Sequence, residues 1–427
     1  MTAFWAAQAW IGDAVAHDVR IACDDAGRIT AISCGAERAP GDVALPGVVY
    51  PGAVNAHSHA FHRLLRGRTH SGGGSFWTWR ELMYREAAAL TPESYERIAT
   101  AAYAEMVATG WTSVAEFHYV HHRPDGTPYG AAGGPGSEPH AMELALARAA
   151  RATGIRLTLL DTCYLSSGFG AALLPEQVRF GDGSARRWLD RLAALRERIG
   201  AEFSPDEVKV GAALHSVRAV PVRELASVAD ALADEAPLHI HVSEQPAENE
   251  ACLAATGLTP VELLAEHGLL SPRLSAVHAT HLTERDIELL GAAGATIVMC
   301  PTTEADLGDG IGPARRLADA GCRIALGTDQ HAVVDPLLEA RALEHGERLA
   351  AGMRGRFSPA QLVAAMTRGG AASTGRAVGS LRVGALCDLI AVDPASLRTA
   401  GSDPGQLVLS ATAADVAAVV IGGRLRA

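Results

Sequence analysis

Paired cysteines are missing from this sequence. The seven cysteines, Cys23, Cys34, Cys163, Cys252, Cys300, Cys322 and Cys387, are scattered, odd in number and nowhere spaced as C-x-x-C. Neither a disulfide framework nor a thiolate zinc site is indicated, and a reducing compartment fits. Positive charge is also short: 37 Lys and Arg stand against 48 Asp and Glu, a formal net charge of -11. That balance speaks against a general affinity for nucleic acid or anionic membrane, so an acidic ligand would need a local cationic pocket. No basic stretch leads into an apolar run near the start, and Asp13 interrupts the first weakly apolar segment. No segment approaches the ~18 uninterrupted apolar residues of a spanning helix. The expectation is a cytoplasmic protein without a nucleic-acid or membrane partner.

What is present is a chain of 427 residues, 48% hydrophobic and 20% charged, enough for one large domain and a small companion. Between about Val54 and Gly352, short β-type runs alternate with longer helical patterns, the signature of β-α units around a parallel sheet. Val208–Leu214, Pro237–Val242, Leu274–Val277, Ala295–Cys300 and Arg323–Leu326 read as strands. Each is followed by a helical pattern: Val222–Asp234, Pro260–His267, Thr283–Ala293, Pro313–Ala320 and Pro336–Ala350. Upstream, Thr91-Pro92-Glu93 starts a helix that Gly110 is placed to end before the strand Thr112–Phe117, and a helix ending at Gly154 precedes Arg156–Leu160. With the strand leading into His57 this makes eight, so the expected fold is a (β/α)8 TIM barrel over residues 51–374. Residues 1–50 and 375–427 read as strand and turn, with turns at Asp24-Asp25-Ala26-Gly27 and Gly422-Gly423, and are expected to pair into a small β-sandwich domain. The glycine-rich pieces Gly72–Gly74 and Ala131–Gly136 read as surface loops, the first with a lid as the alternative.

His57-Ser58-His59 ends the first barrel strand, and residues two apart point to one face, so both imidazoles can reach one ion at the strand's C-terminal end. Barrel enzymes place their chemistry there. An H-x-H pair alone is weak, and a lone histidine at a strand end is most often a satisfied structural residue. Here His241, His278 and Asp329 also close strands five, six and eight. Convergence of these groups on one rim points to a metal site, and nitrogen and carboxylate donors without thiolate suit Zn2+, with Fe2+ or Mn2+ as alternatives. Glu244 lies three residues past His241. Alone it would read as a solvated loop residue; beside a metal-bound water it can take a proton and return it to a leaving nitrogen.

These residues resemble the amidohydrolase superfamily, and the His241-x-x-Glu244 spacing resembles its deaminase branch with one metal. Within that branch, Ser75–Arg85, Ala115–His122, Leu214–Arg218, His278–His281 and Thr303–Gly310 are similar to segments of the formimidoylglutamate deiminases, and the similarity reaches Gly379–Asp393. The resemblance implies that His57, His59, His241 and Asp329 hold one zinc ion per subunit. It further implies His278 beside the bound water, Glu244 as proton shuttle, Asp329 as a second proton acceptor, and a homodimer. Arg80, Tyr119, His215 and Arg218 would contact the glutamyl part of N-formimino-L-glutamate, a small acidic amidine, and His62 stands at a further substrate position. Members of that family often carry glutamine at the position of His62 and asparagine at that of Asp306. Without the resemblance Arg80 and Arg218 would read as surface or ion-paired arginines, Tyr119 and His215 as packed residues, and Trp77 and Trp79 as core or lid packing. Two rivals remain: a deaminase of a purine or pyrimidine such as guanine, which calls for stacking and amide-like hydrogen bonds, and an inactive scaffold relative, which would be expected to have lost metal ligands that are all present here.

Overall fold

The computed structural model describes residues 2–69, 76–130, 138–232 and 237–427. The stretches Gly72–Gly74 and Ala131–Gly136, the side chain of Trp77 and the end of the helical pattern past Leu232 lie outside the described residues. Fifteen strands are formed among the described residues. β1 (Thr2–Ile11), β2 (Ala14–Cys23), β3 (Ile29–Ser33) and β4 (Val43–Pro51) precede the barrel strands β5 (Ala53–Ser58), β6 (Trp111–His118), β7 (Arg156–Cys163) and β8 (Val208–Leu214). The barrel continues with β9 (Leu238–Val242), β10 (Leu274–His278), β11 (Thr296–Met299) and β12 (Arg323–Leu326), and β13 (Leu389–Val392), β14 (Val416–Ile421) and β15 (Arg424–Leu425) end the chain. Among the described residues no helix is long and apolar enough to cross a membrane.

β5 to β12 form one eight-stranded sheet in strict sequence order, all neighbours parallel. β6, β7, β9 and β10 are buried along their whole length, as expected of parallel strands covered on both faces. The ring closes at the C-terminal ends of β5 and β12. Ser58 bridges Asp329, the amides of Thr328 and Asp329 donate to the His57 carbonyl at 3.1 and 3.0 Å, and the His59 amide donates to the Asp329 carbonyl at 3.1 Å. Gly327 makes this approach possible: a side chain there would stand 2.8 Å from Cβ of His57. The helices are set by local chemistry. Thr91 caps Pro92–Thr109 with proline in the first turn, and Gly110, at φ 106°, ends it in the left-handed conformation. Thr259, Asp335 and Ser358 repeat the same cap-then-proline start.

The strands from both ends of the chain pair into a seven-stranded sheet, ordered β15-β14-β13-β4-β1-β2-β3. Val48, Tyr50, Ile390 and Val419 on one side of it join the core shared with the barrel, while Phe4, Val19, Ile21, Val49, Leu389 and Val420 form a core of their own. This sheet packs against the N-terminal ends of β6 and β7, where Ile390 and Val416 approach Gly110, while residues 365–374 reach the starts of β5, β9 and β12 through Gly370 against Val54, Ser373 on His239 and Gly369 against Ile324. Arg156, first residue of β7, binds Asp388, just before β13, through Nε at 2.6 Å and Nη2 at 2.9 Å, with both side chains buried. Removing one partner of a buried pair leaves the other charge desolvated. Asp388→Ala and Arg156→Met are therefore each expected to lower unfolding stability by roughly 3–5 kcal/mol, read from the urea midpoint, with the double variant Arg156→Met/Asp388→Leu less damaging because it leaves no buried charge unpaired.

Candidate metal centre and active site

The opposite rim carries the chemistry. β5 delivers His57, with His59 just beyond it; β9 delivers His241, β10 ends in His278, and Asp329 follows β12. Nδ1 of His59 meets the Phe117 carbonyl at 2.8 Å, and Nδ1 of His241 meets the His215 carbonyl at 2.8 Å. A carbonyl only accepts, so each Nδ1 carries the proton and each Nε2 turns a lone pair inward. His57 Nε2 lies 3.2 Å from His241 Nε2 and 3.4 Å from Asp329 Oδ1, and His59 Nε2 lies 3.6 Å from the same oxygen. Burial above all, reinforced by neighbouring histidines, drives the pKa values of His57, His59 and His241 well below the usual imidazole range. They are neutral at neutral pH. Three imidazole nitrogens and a carboxylate oxygen crowded at this spacing fit a tetrahedral metal with bonds near 2.0 Å, whose ligand atoms stand about 3.3 Å apart. His57 Nδ1 is buried without a hydrogen-bond partner.

His278 sits beside this group. Its Nε2 is 3.6 Å from Glu244 Oε1 and 3.9 Å from Asp329 Oδ2, and its Nδ1 is 3.4 Å from Glu304 Oε1. Burial pulls the His278 pKa down, but Glu244, Glu304 and Asp329 outweigh it and push the value up to about 10. Burial first, then the nearby carboxylates, raises the pKa of Glu244, against the pull of His278 and Arg218. Ser243, His278, Ala279, Asp329 and His331 all have left-handed backbone at φ between 42° and 68°. Non-glycine residues pay about 1–3 kcal/mol for such conformations, and here five of them surround one site.

A cavity of about 350 Å³ opens onto these groups and is lined by His62, Arg80, Tyr119, His215 and Arg218 together with Glu244, His278 and Asp329. His62 and His215 are neutral, the first with its pKa lowered to about 3, both chiefly by burial. Arg80 and Arg218 are cations of the cavity wall alongside His278. Arg218 has a buried Nη1 with no hydrogen-bond partner; Arg80 donates from Nε to the Tyr84 hydroxyl at 2.7 Å. Gln177 extends that wall, donating to the hydroxyls of Tyr84 and Tyr164 at 2.8 and 2.9 Å. Trp79 also lines the cavity. Asp306 accepts from Gln330 Nε2 at 2.7 Å and so braces the turn that carries Asp329.

Several of these groups escaped the sequence reading: Tyr84, Tyr164, Gln177, Glu304 and Glu248. Glu248 lines the cavity on the helix Pro246–Thr256, with a buried, unpartnered Oε1 and a pKa raised by burial to about 7. The available signal was the Gln245-Pro246 helix start immediately after His241-x-x-Glu244, which puts Glu248 one turn from the rim.

The donor set predicts one divalent cation per chain in protein purified without chelator. Elemental analysis should show metal content falling towards zero in His241→Ala and Asp329→Ala, and unchanged in Arg218→Met.

Residues 48–426 match the model of the amidohydrolase family. The chain is 38% identical over 415 residues to formimidoylglutamate deiminase of Pseudomonas aeruginosa, covering 95% of this chain and 87% of that protein. It is 31% identical to 8-oxoguanine deaminase of the same organism, over 89% of this chain and 82% of that one. Among solved structures, an amidohydrolase from Brucella melitensis superposes with a TM-score of 0.90 at 35% identity, covering 100% of this chain and 94% of that chain. An adenosine deaminase from Xanthomonas campestris with bound zinc gives 0.83 at 26% identity, covering 99% and 92%. The rim of histidines and carboxylates, the barrel beneath it and these similarities lead to one conclusion: the chain belongs to the amidohydrolase family, as a hydrolase that acts on C–N bonds by hydrolytic deamination.

Proposed function

We propose that the substrate is N-formimino-L-glutamate, hydrolysed to N-formyl-L-glutamate and ammonia, with one Zn2+ held by His57, His59, His241 and Asp329. The observation that carries this reading is the buried, unpartnered Nη1 of Arg218 in a cavity that also contains Arg80. A guanidinium fork matches a carboxylate, and this substrate brings two. The 38% identity to formimidoylglutamate deiminase supports the same choice. Zinc at this site would supply a Lewis acid and a water nucleophile competent near neutral pH.

The chain's own residues then divide the work. Arg80 and Arg218 bind the carboxylates and set the distance of the formimino carbon from Glu244. Glu244 takes a proton from the attacking water and returns it to the departing nitrogen, with Asp329 as the second acceptor beside it. His278, 3.6 Å from Glu244, donates to the oxygen on which negative charge develops. A cytoplasmic homodimer is part of the same reading, supported for the compartment by seven free cysteines, six of them buried.

A purine substrate is the second reading. It is favoured by the rings of Tyr84, Tyr119, Tyr164, Phe169 and Phe180 around the cavity and by the 31% identity to 8-oxoguanine deaminase.

Arg218→Met separates the two. Loss of charge-assisted hydrogen bonds should raise KM for the amidine by roughly 10- to 100-fold, whereas KM for a purine would hardly move. Glu244→Gln should retain its metal and lose roughly 10²- to 10⁴-fold in kcat; near-normal turnover would remove Glu244 from this role. Because burial holds the Glu244 proton to higher pH and the base must be deprotonated, the acid limb of kcat/KM is expected above the ordinary glutamate pKa and should vanish from the residual activity of the glutamine variant.

A further inference from the structure

Outside the barrel wall, between β6, β7 and the helices Ala141–Thr153 and Ala185–Gly200, lies a second buried cluster of charged groups. Glu143 Oε1 is 2.9 Å from His121 Nδ1 and 3.3 Å from His118 Nε2. Arg191 reaches the same oxygen at 3.2 Å, Asp161 at 2.7 Å and Asp182 at 2.8 Å. His121 Nε2 meets the Thr162 carbonyl at 2.9 Å. Both His121 nitrogens thus face oxygens. Arg191 supplies positive charge to Glu143 and Asp161 in this cluster, whose His118, His121 and Glu143 ligand atoms are as close as those of the rim.

Glu143, Asp161, His118 and His121 are each at most 2% exposed, and Glu143 and Asp161 lie on helix and strand behind the cavity wall. Buried charges of this kind are a poor source of stability and are best explained by the geometry they impose. What they fix here is a short segment. The β6–β7 ladder ends at the pair His118–Asp161, and Tyr119 is the next residue. Side chains alternate along the segment: Phe117 and Tyr119 face the site, with Tyr119 hydroxyl 3.2 Å from His62 Nε2, while His118 faces Glu143. Tyr119 thus lies between His118, whose Nε2 is 3.3 Å from Glu143 Oε1 without forming a hydrogen bond, and His121, whose Nδ1 is hydrogen-bonded to that oxygen at 2.9 Å.

We propose that Glu143 is a positioning residue for the reaction: through His118 and His121 it fixes Tyr119 at the cavity wall. This rests on the reading of Tyr119 as a substrate contact. Phe117, whose carbonyl holds His59, lies inside the ladder opposite Leu160, so the sheet keeps the metal site independent of Glu143.

The test is a double-mutant cycle on the holoenzyme with N-formimino-L-glutamate. Glu143→Gln is expected to raise KM about tenfold with kcat within about threefold and metal content unchanged. In the Tyr119→Phe background the same change should move KM by less than about twofold, and Glu143→Asp should recover part of the loss. Additive effects, or an unchanged KM, would overturn the proposal. If Glu143→Gln does not fold, His121→Gln, which leaves the His118 contact in place, carries the same cycle. No wild-type turnover of the amidine would sink the substrate reading alone, and the variant's crystal structure then decides: Tyr119 displaced from His62 supports the clamp, and Tyr119 in place refutes it.

Discussion

Everything at the active rim depends on one closure. Among the described residues the backbone pairing of the first and last barrel strands lies at their C-terminal ends, where Ser58 bridges Asp329 and three backbone hydrogen bonds join His57 and His59 to the turn after β12. Those bonds bring a carboxylate from the end of the barrel within 3.4 to 3.6 Å of imidazoles from its start. A glycine at position 327 is the steric condition, since any Cβ would collide with His57. The left-handed backbone of Asp329 is the conformational cost.

The two rims divide stability from chemistry. At the N-terminal ends of the strands, the Arg156–Asp388 pair ties the seven-stranded sheet to β7, and residues 365–374 pack against the starts of β5, β9 and β12. At the C-terminal ends the structure gathers neutral imidazoles with inward lone pairs, strained turns and an arginine whose Nη1 has no hydrogen-bond partner. Each of those features is unfavourable in the empty protein and becomes favourable when a cation and an anionic ligand are present. Two arginines, Arg80 and Arg218, therefore line the cavity of a chain of net charge -11, beside the carboxylates of Glu244, Glu248 and Asp329.

Much of this was legible in the sequence. β8 and β12 have the bounds read from their apolar runs, and the helix from Pro92 stops where Gly110 allows the left-handed turn. His57, His59, His241, His278 and Asp329 are brought to one rim because strand-end position is a local property. What stayed hidden was non-local. Helix Pro246–Thr256 has a weak apolar face, so Glu248 could not be placed on the cavity wall. Tyr84, Gln177 and Tyr164 form a hydrogen-bonded row across three elements that no spacing rule connects. The His118–Glu143–Arg191 cluster needs the packing of two helices against β6 and β7 before its residues have any relation.

The central claim is that a metal site and an arginine-lined cavity act together on an acidic amidine. It is tested most directly by ammonia release from the zinc-loaded protein offered N-formimino-L-glutamate and 8-oxoguanine side by side, each with a chelator control. Chelator-sensitive release from the amidine alone is the predicted result. Release from 8-oxoguanine alone would contradict the substrate assignment, and release from the amidine that survives complete metal removal would contradict the metal site.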